Sequence, residues 1–296
     1  MNADATQEIG AGKRFAFGAN WLRFLATVDE ERIGAATASL QAMLQTSDLR
    51  SKSLLDIGCG SGLFSLAARR LGARVHSVDF DPQSVACTQE LRRQYFAEDR
   101  DWHVEQGSVL DRQYMTALGT FDIVYSWGVL HHTGAMWLAL ENAIGRVEPT
   151  QGKLVIAIYN DQGWKSHAWW FVKLIYNGMP RVLKPMFIAL VSFVVNLIVI
   201  LKYTVRLKPM SALRPLFTDR RERGMSAKCD QIDWIGGFPY EFVSFDVLAR
   251  YLEARGFSVT ASIRNGSHGC NELAAQVVGT HRHNETVCEP GAAADS

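Results

Sequence analysis

Leu54-Leu-Asp-Ile-Gly-Cys-Gly-Ser-Gly62 (LLDIGCGSG) is the stretch on which the fold turns. Apolar residues run through Ser53–Ile57 as a strand, break on glycines, and give way at once to a helical pattern over Gly62–Leu71. Glycines at such a turn permit positive φ and let the backbone approach a ligand, while the helix start presents unpaired N–H groups. Several nucleotide-binding families share a GxG at this place, so the motif by itself names none of them. Two details narrow it. The position where a dinucleotide fingerprint carries a third glycine holds Leu63. Asp56 enters the turn, a carboxylate that repels a pyrophosphate and attracts a cation.

Outward from this turn the text alternates between short apolar runs and amphipathic stretches. Strands are predicted at Arg74–Val78, Trp102–Glu105, Phe121–Tyr125 and Lys153–Tyr159, and helices at Pro82–Phe96 and Ala135–Val147. A helix at Phe245–Arg255 and strands at Phe257–Ile263 and Leu273–Val278 come later. Repeated β–α units of this length imply a Rossmann-like, doubly wound α/β fold. Ahead of the first strand, apolar residues from Phe15 to Leu49 recur at helical spacing and predict helices, while residues 1–14 read as a frayed start. Asp79, at the tip of strand 2, can accept hydrogen bonds from ribose hydroxyls. Gly107-Ser108-Val109, after strand 3, is placed to clamp an adenine by backbone and apolar contacts.

LLDIGCGSG (54–62), HSVDFD (76–81), FDIVYSWGVLHH (121–132) and GKLVIAIYN (152–160) together resemble the motifs of class I S-adenosylmethionine-dependent methyltransferases. The small-molecule members similar to ubiquinone-biosynthesis O-methyltransferases are nearest in character. The resemblance covers nearly all of 50–280 and implies a seven-stranded sheet with S-adenosyl-L-methionine as cofactor. It implies that Asp56, Gly58, Cys59, Gly60 and Gly62 hold the methionyl part, and that Asp79 and Phe80 hold the ribose. Gly107, Ser108 and Val109 then surround the adenine, with Ser126 and Trp127 on the strand 4 side. Ser108 departs from the pattern, since many relatives carry an acid there. A glycine turn that binds NAD, or nothing, is the bland alternative.

Methyl transfer from a sulfonium is an in-line displacement, and a base is needed only when the nucleophile arrives protonated. His131 and His132 follow strand 4 at the ligand end of the sheet, as bases or as packing and capping residues. Asp161 ends strand 5, as a catalytic acid or a helix N-cap. Tyr159 and Asn160 lie beside it as substrate contacts. The loop from Asn265 to Glu272 offers His268, Cys270 and Asn271 at the same end. Tyr240 belongs to a polar and aromatic stretch with the composition of a pocket wall or lid. Trp21 is a candidate to close over the cofactor, or plain helix packing. Strand 4 ends in Tyr-Ser-Trp-Gly without a carboxylate, so no metal is expected.

At 296 residues, 48% hydrophobic and 21% charged, the chain can bury a sizeable core. A net charge of +1 excludes a strongly basic nucleic-acid binder and an acidic disordered protein. The five cysteines show no CxxC pair, and the polar start has no apolar h-region, so a reducing, cytoplasmic setting is expected. The near-neutral average conceals segregation. Residues 162–218 hold eight basic residues and no acidic one, around an uncharged run at Pro185–Leu201, and the rest of the chain is net acidic. That insertion reads as a membrane-interfacial helix at the inner face, a span, or a hydrophobic lid buried against the domain or against a second subunit of a homodimer.

The organisation expected is a helical cap (1–50), a cofactor-binding core (51–160), the apolar and basic insertion (161–240), the last helix and strands of the same core (241–280), and a disordered tail (281–296). The expected activity is methyl transfer to a small, apolar or lipid-like acceptor at oxygen. Transfer to sulfur or carbon is the alternative, as is a silent cofactor-binding subunit docked to a membrane or partner.

Overall fold

The computed structural model describes residues 5–11, 14–180, 182–205, 234–266 and 269–278. The tail at 281–296 and the stretch 206–233 of the insertion lie outside them. Seven strands form one sheet in the order β3-β2-β1-β4-β5-β7-β6. They are β1 (Ser53–Ile57), β2 (Arg74–Asp79), β3 (Trp102–Gln106), β4 (Ile123–Trp127), β5 (Lys153–Tyr159), β6 (Phe257–Ile263) and β7 (Cys270–Val277). Strands β1 to β5 pair parallel and β7 alone runs against its neighbours. Buried on both faces, β5 reads as a continuous apolar run, which is why it is legible from its sequence alone.

Helices cover both faces. On one, α3 (Glu30–Leu44) packs Ile33, Leu40 and Leu44 against Leu66 and Ala67 of α4 (Leu63–Arg70), beside α5 (Pro82–Phe96). The side chain of Asp29 caps α3 by accepting from the Arg32 N–H. On the other face, α6 (Arg112–Ala117), α7 (Met136–Ile144) and α10 (Phe245–Glu253) bury Met115, Leu140 and Leu248. The insertion contributes α8 (Trp164–Gly178) and α9 (Lys184–Val205).

Three expectations need correction. The N-terminus is not simply frayed: Ala5–Gly10 forms α1, and α2 (Phe17–Leu25) is pinned to α5 where the Gly18 N–H donates to Asp81 Oδ2 at 2.8 Å. Strand β4 starts at Ile123, because Asp122 instead accepts from the Ser53 N–H and hydroxyl at its entrance. Strand β7 starts at Cys270, already paired with Tyr159 of β5, so Cys270 and Asn271 are strand residues and the loop before them is shorter.

Candidate active site

A cavity of about 620 Å³ opens over the C-terminal ends of β1, β2, β4 and β5. Its floor is the glycine loop Asp56–Ser61, and its sides are Asp79–Asp81, Gly107–Leu110 and Trp127–Val129. Its roof is α2 with Arg14 and Phe15, together with Trp234, Phe238 and part of α9. Open parallel sheets place ligands at this edge, and cavities of 300–1,000 Å³ are the usual range for small molecules.

The loop after β1 is tied down on several sides. The N–H groups of Gly58 and Cys59 both donate to the Val78 carbonyl, at 2.7 and 3.1 Å. The Gly60 N–H donates to Asp79 Oδ2 at 2.9 Å, and the Asp81 N–H donates to Oδ1 at 2.9 Å. Thr88 donates its hydroxyl to the Gly60 carbonyl at 3.2 Å. Trp21 lies on the loop so closely that a Cβ on Gly60 would stand 2.9 Å from its indole nitrogen. Cys59 is held as a thiol, its pKa raised by burial and then by Asp79 and Asp56.

Two carboxyls flank this loop, Asp56 buried and Asp79 half-buried. Burial pushes Asp79 up to about 7, against the hydrogen bonds from Gly60 and Asp81. Burial pushes Asp56 up to about 6, against the hydroxyl of Ser65, which donates to it at 2.5 Å. Ser65 in turn meets Ser77, which accepts from the Trp102 indole at 2.9 Å. Among the described residues, both carboxyls take their donors from hydroxyl and backbone N–H groups rather than from a basic side chain. A cation seated between them favours ionisation of both, so the site suits a positively charged ligand with hydroxyls and disfavours a pyrophosphate.

Beyond β3, the Gly107 N–H donates to the Asp79 carbonyl at 3.0 Å, and Asn142 fixes the Val109 carbonyl at 2.8 Å. Ser108 turns its hydroxyl to the Leu110 N–H. The Tyr114 ring packs beneath Gly107 and donates to Glu105 at 2.7 Å, which also meets His76 at 3.0 Å. His76, His103 and Glu105 bring their ligand-type atoms within 4.8 Å of one another, a cluster unforeseen in the sequence. It lies on β2 and β3 behind Tyr114 rather than on the cavity wall.

The opposite end of the cavity is aromatic. The His131 ring packs on Tyr159 at 4.1 Å and accepts from the Tyr159 N–H at Nδ1, 3.3 Å away. His132 Nδ1 lies 2.6 Å from the Pro239 carbonyl, which makes that nitrogen the protonated donor. Burial drives His131 well below the ordinary imidazole range, reinforced by His132 and Lys173. Burial, then Lys173, drives His132 down to about 3. Lys173 of α8 is itself fully buried. Its Nζ donates to the Trp234 carbonyl and lies 4.7 Å from the Tyr240 ring centre and 5.4 Å from that of Tyr159.

A family profile described as "Methyltransferase domain" matches residues 28–262, most of the chain. The chain belongs to the methyltransferase-domain family. Ribosomal protein L11 methyltransferase of Methylococcus capsulatus is 43% identical to it over 76 residues, 25% of this chain and 26% of that protein. The enzyme of the same name from Legionella pneumophila is 48% identical over 56 residues, 19% of each. The chain thus spans about a quarter or less of the length of these relatives. Magnesium protoporphyrin IX methyltransferase of Synechocystis PCC 6803, solved with bound SAM, superposes with a TM-score of 0.52 at 12% identity, over 93% of this chain and 98% of that one. PKMT2 of Rickettsia typhi gives a TM-score of 0.54 at 12% identity, over 81% and 52%. At such identities these structures establish the shared class I fold.

In this chain, Asp56, Gly58, Cys59, Gly60, Asp79, Phe80, Gly107, Ser108, Val109 and Trp127 gather on the cavity wall, with Trp21, His131, His132 and Tyr159. Gly62 lies just behind the loop as the N-cap of α4. Other candidates stand elsewhere. Ser126 gives its hydroxyl to the Ile57 carbonyl at 3.0 Å, inside the sheet. Asn160 and Asn271 bond each other at 2.9 Å and both hold Asn265, bracing the β6–β7 hairpin rather than facing the cavity. Asp161 accepts from the Gly163 N–H at 2.7 Å, in the turn before α8. Tyr240 stands behind Tyr159, 5.1 Å between ring centres. His268 lies outside the described residues.

Phe17 and Trp234 line the cavity within the two stretches read as a cofactor cover and a pocket wall, whereas sequence reasoning missed Arg14 and Lys173. Arg14 donates to the carbonyls of His132 and Thr133 and lies 4.8 Å over Phe80, bridging the two ends of the cavity roof. A lone arginine in a polar N-terminal stretch carries no pattern that would reveal this.

Proposed function

We propose that this methyltransferase transfers a methyl group from S-adenosylmethionine to an oxygen of a small, apolar or lipid-like acceptor. The observation that carries the reading is one cavity with two chemically different ends, acids around a glycine loop at one and neutral aromatic groups at the other. Asp79 and the Gly60 loop hold the ribose, Gly107–Val109 flank the adenine, and Asp56 supplies negative charge beneath the methionyl end. The cofactor supplies an electrophilic methyl carbon on a sulfonium that leaves as a neutral thioether.

The neutral histidines shape the acceptor end. A group held near pKa 3 by burial and a nearby lysine is a poor proton acceptor at neutral pH. We therefore assign His131 and His132 to positioning, and favour an acceptor acidic enough to ionise without them, such as a phenol or carboxylic acid. Positive charge at Lys173, behind Tyr159 and Tyr240, favours such an anion. His132→Asn, which keeps a donor for the Pro239 carbonyl, is expected to retain kcat within about tenfold. A loss of roughly 10²–10⁴, the range for a proton-transfer residue, would make His132 the base.

Labelled S-adenosylmethionine offered with apolar phenols, long-chain carboxylic acids, alcohols and thiols tests the assignment. Product is expected from the phenols or acids. Turnover confined to thiols would move the reaction to sulfur. Cofactor binding without turnover on any acceptor would leave a silent subunit, and binding of NADH in its place would end the methyltransferase reading.

A further inference from the structure

We infer that α8 and α9 form a platform that docks on an anionic lipid bilayer and turns the mouth of the cavity toward it. Helix α8 is inside out, and α9 exposes apolar side chains along its length. An amphipathic helix on a globular protein buries its apolar stripe and shows its polar face to water. In α8 the buried face carries Ser166, Lys173 and Tyr176, while Trp164, Phe171, Leu174 and Ile175 are exposed. In α9 the stripe Met186, Leu190, Phe193, Leu197 and Leu201 follows helical spacing along one side and is 43–68% exposed throughout. The two helices meet where Tyr176 of α8 faces Phe187 and Lys184 of α9, and exposed apolar side chains on both are of the kind that marks an interaction surface.

Charge selects the occupant. The sequence over 162–218 has eight basic residues and no acidic one, and with Lys173 buried inward seven remain to meet an anionic surface. A second copy of the chain docking through this face would bring like charges together. An anionic leaflet offers the complementary sign, together with an apolar interior for the stripe and an interface that suits tryptophans such as Trp164 and Trp170.

Topology excludes a single crossing of the membrane. Strand β5 precedes the insertion, and α10, β6 and β7 follow it in the same sheet, so the chain must return to the side it left. Among the described residues no helix is long and apolar enough to cross a membrane. Val195 and Asn196 of α9 line the cavity, so a bilayer beneath α9 lies at the edge of the site. An acceptor drawn from the lipid phase follows from this placement. That last step rests on the methyltransferase reading, whereas the docking itself does not.

Vesicle flotation of the full chain tests the inference. The protein is expected to float with phosphatidylcholine vesicles containing phosphatidylglycerol, and the bound fraction to fall about tenfold or more with phosphatidylcholine alone. The triple variant Leu190→Glu, Phe193→Glu, Leu197→Glu alters exposed positions and is expected to lose flotation while keeping its melting temperature and cofactor affinity. Should that variant fail to fold, quenching of tryptophan fluorescence by brominated phosphatidylglycerol in the unmodified chain gives the same answer. An unmodified chain that neither floats nor is quenched overturns the docking, and a stable dimer by light scattering in that case assigns the face to a second copy. A titration with S-adenosylmethionine on the same preparation separates the two readings. Flotation without cofactor binding removes the methyltransferase assignment and leaves the platform standing.

Discussion

Asp79→Ala is expected to weaken S-adenosylmethionine binding roughly 30- to 1,000-fold, measured by calorimetric titration. One carboxylate does two things in this structure. It accepts from the Gly60 and Asp81 N–H groups, fixing the glycine loop to the tip of β2, and each oxygen keeps a lone pair for a ligand hydroxyl. Alanine loses both, leaves the Gly60 N–H without its acceptor, and frees the loop that forms the cavity floor. Hydrogen bonds to a charged group contribute about 1.5–3 kcal/mol each, so a loss of about 2–4 kcal/mol is reasonable. Unchanged affinity would remove Asp79 from the ribose site.

The same carboxyl gives a pH signature with two opposite signs. Free, it sits at about 7 because of burial. Ligand hydroxyls donating to it favour the ionised form, so binding releases a proton and affinity falls as pH drops below 7, by at most about tenfold per unit. Stability of the free protein runs the other way. The folded-state pKa is above the unfolded value near 3.9, so the folded state holds the extra proton between about 4 and 7. This group's contribution therefore diminishes as pH rises through that window. His131 and His132, depressed in the folded state, oppose it by destabilising the fold as pH falls below about 6.5. The difference in melting temperature between the wild type and Asp79→Asn isolates the Asp79 contribution. It is expected to shift in favour of the wild type from pH 7.5 to pH 5.

How far the sequence reveals the site depends on how local each contact is. The glycine loop, Asp79 and the Gly107 turn are legible because strand tips and the turns after them are set by neighbours a few residues away. Strand β5 is legible because burial on both faces leaves an unbroken apolar run. Ser126 misleads for the opposite reason: a polar residue near a strand end resembles a ligand contact, yet its hydroxyl is taken by Ile57 from the next strand. Asn160 and Asn271 look like independent candidates until β7 is seen to start at Cys270, which places the two amides face to face. Lys173 is the clearest omission. In the sequence it is one more cation of a basic insertion, and its burial depends on Tyr159, Tyr240 and Trp234, brought together from separate parts of the chain. Arg14 is hidden in the same way, the cavity-roof carbonyls it donates to lying more than a hundred positions along the chain.

Gly58→Ala is expected to abolish measurable cofactor binding, a loss of at least about 100-fold, and to lower stability by about 2–4 kcal/mol. Gly58 has φ +77°, in the left-handed region, where a side chain costs roughly 1–2 kcal/mol. Space adds to this, because a Cβ would stand 2.4 Å from a methyl of Val129. The loop cannot easily swing away, since the Gly58 and Cys59 N–H groups are both bound to the Val78 carbonyl. Strain and clash can be separated. Gly119 has φ +80° and open space, with no atom within 4 Å of where a Cβ would stand, so Gly119→Ala carries the conformational cost alone. It is expected to lower stability by about 1–2 kcal/mol and leave cofactor affinity unchanged. Adding Val129→Ala to Gly58→Ala removes the collision and keeps the φ, so it is expected to restore part of the affinity. If the double variant binds no better than the single, the left-handed conformation of Gly58 sets the loop, and Val129 is only a neighbour.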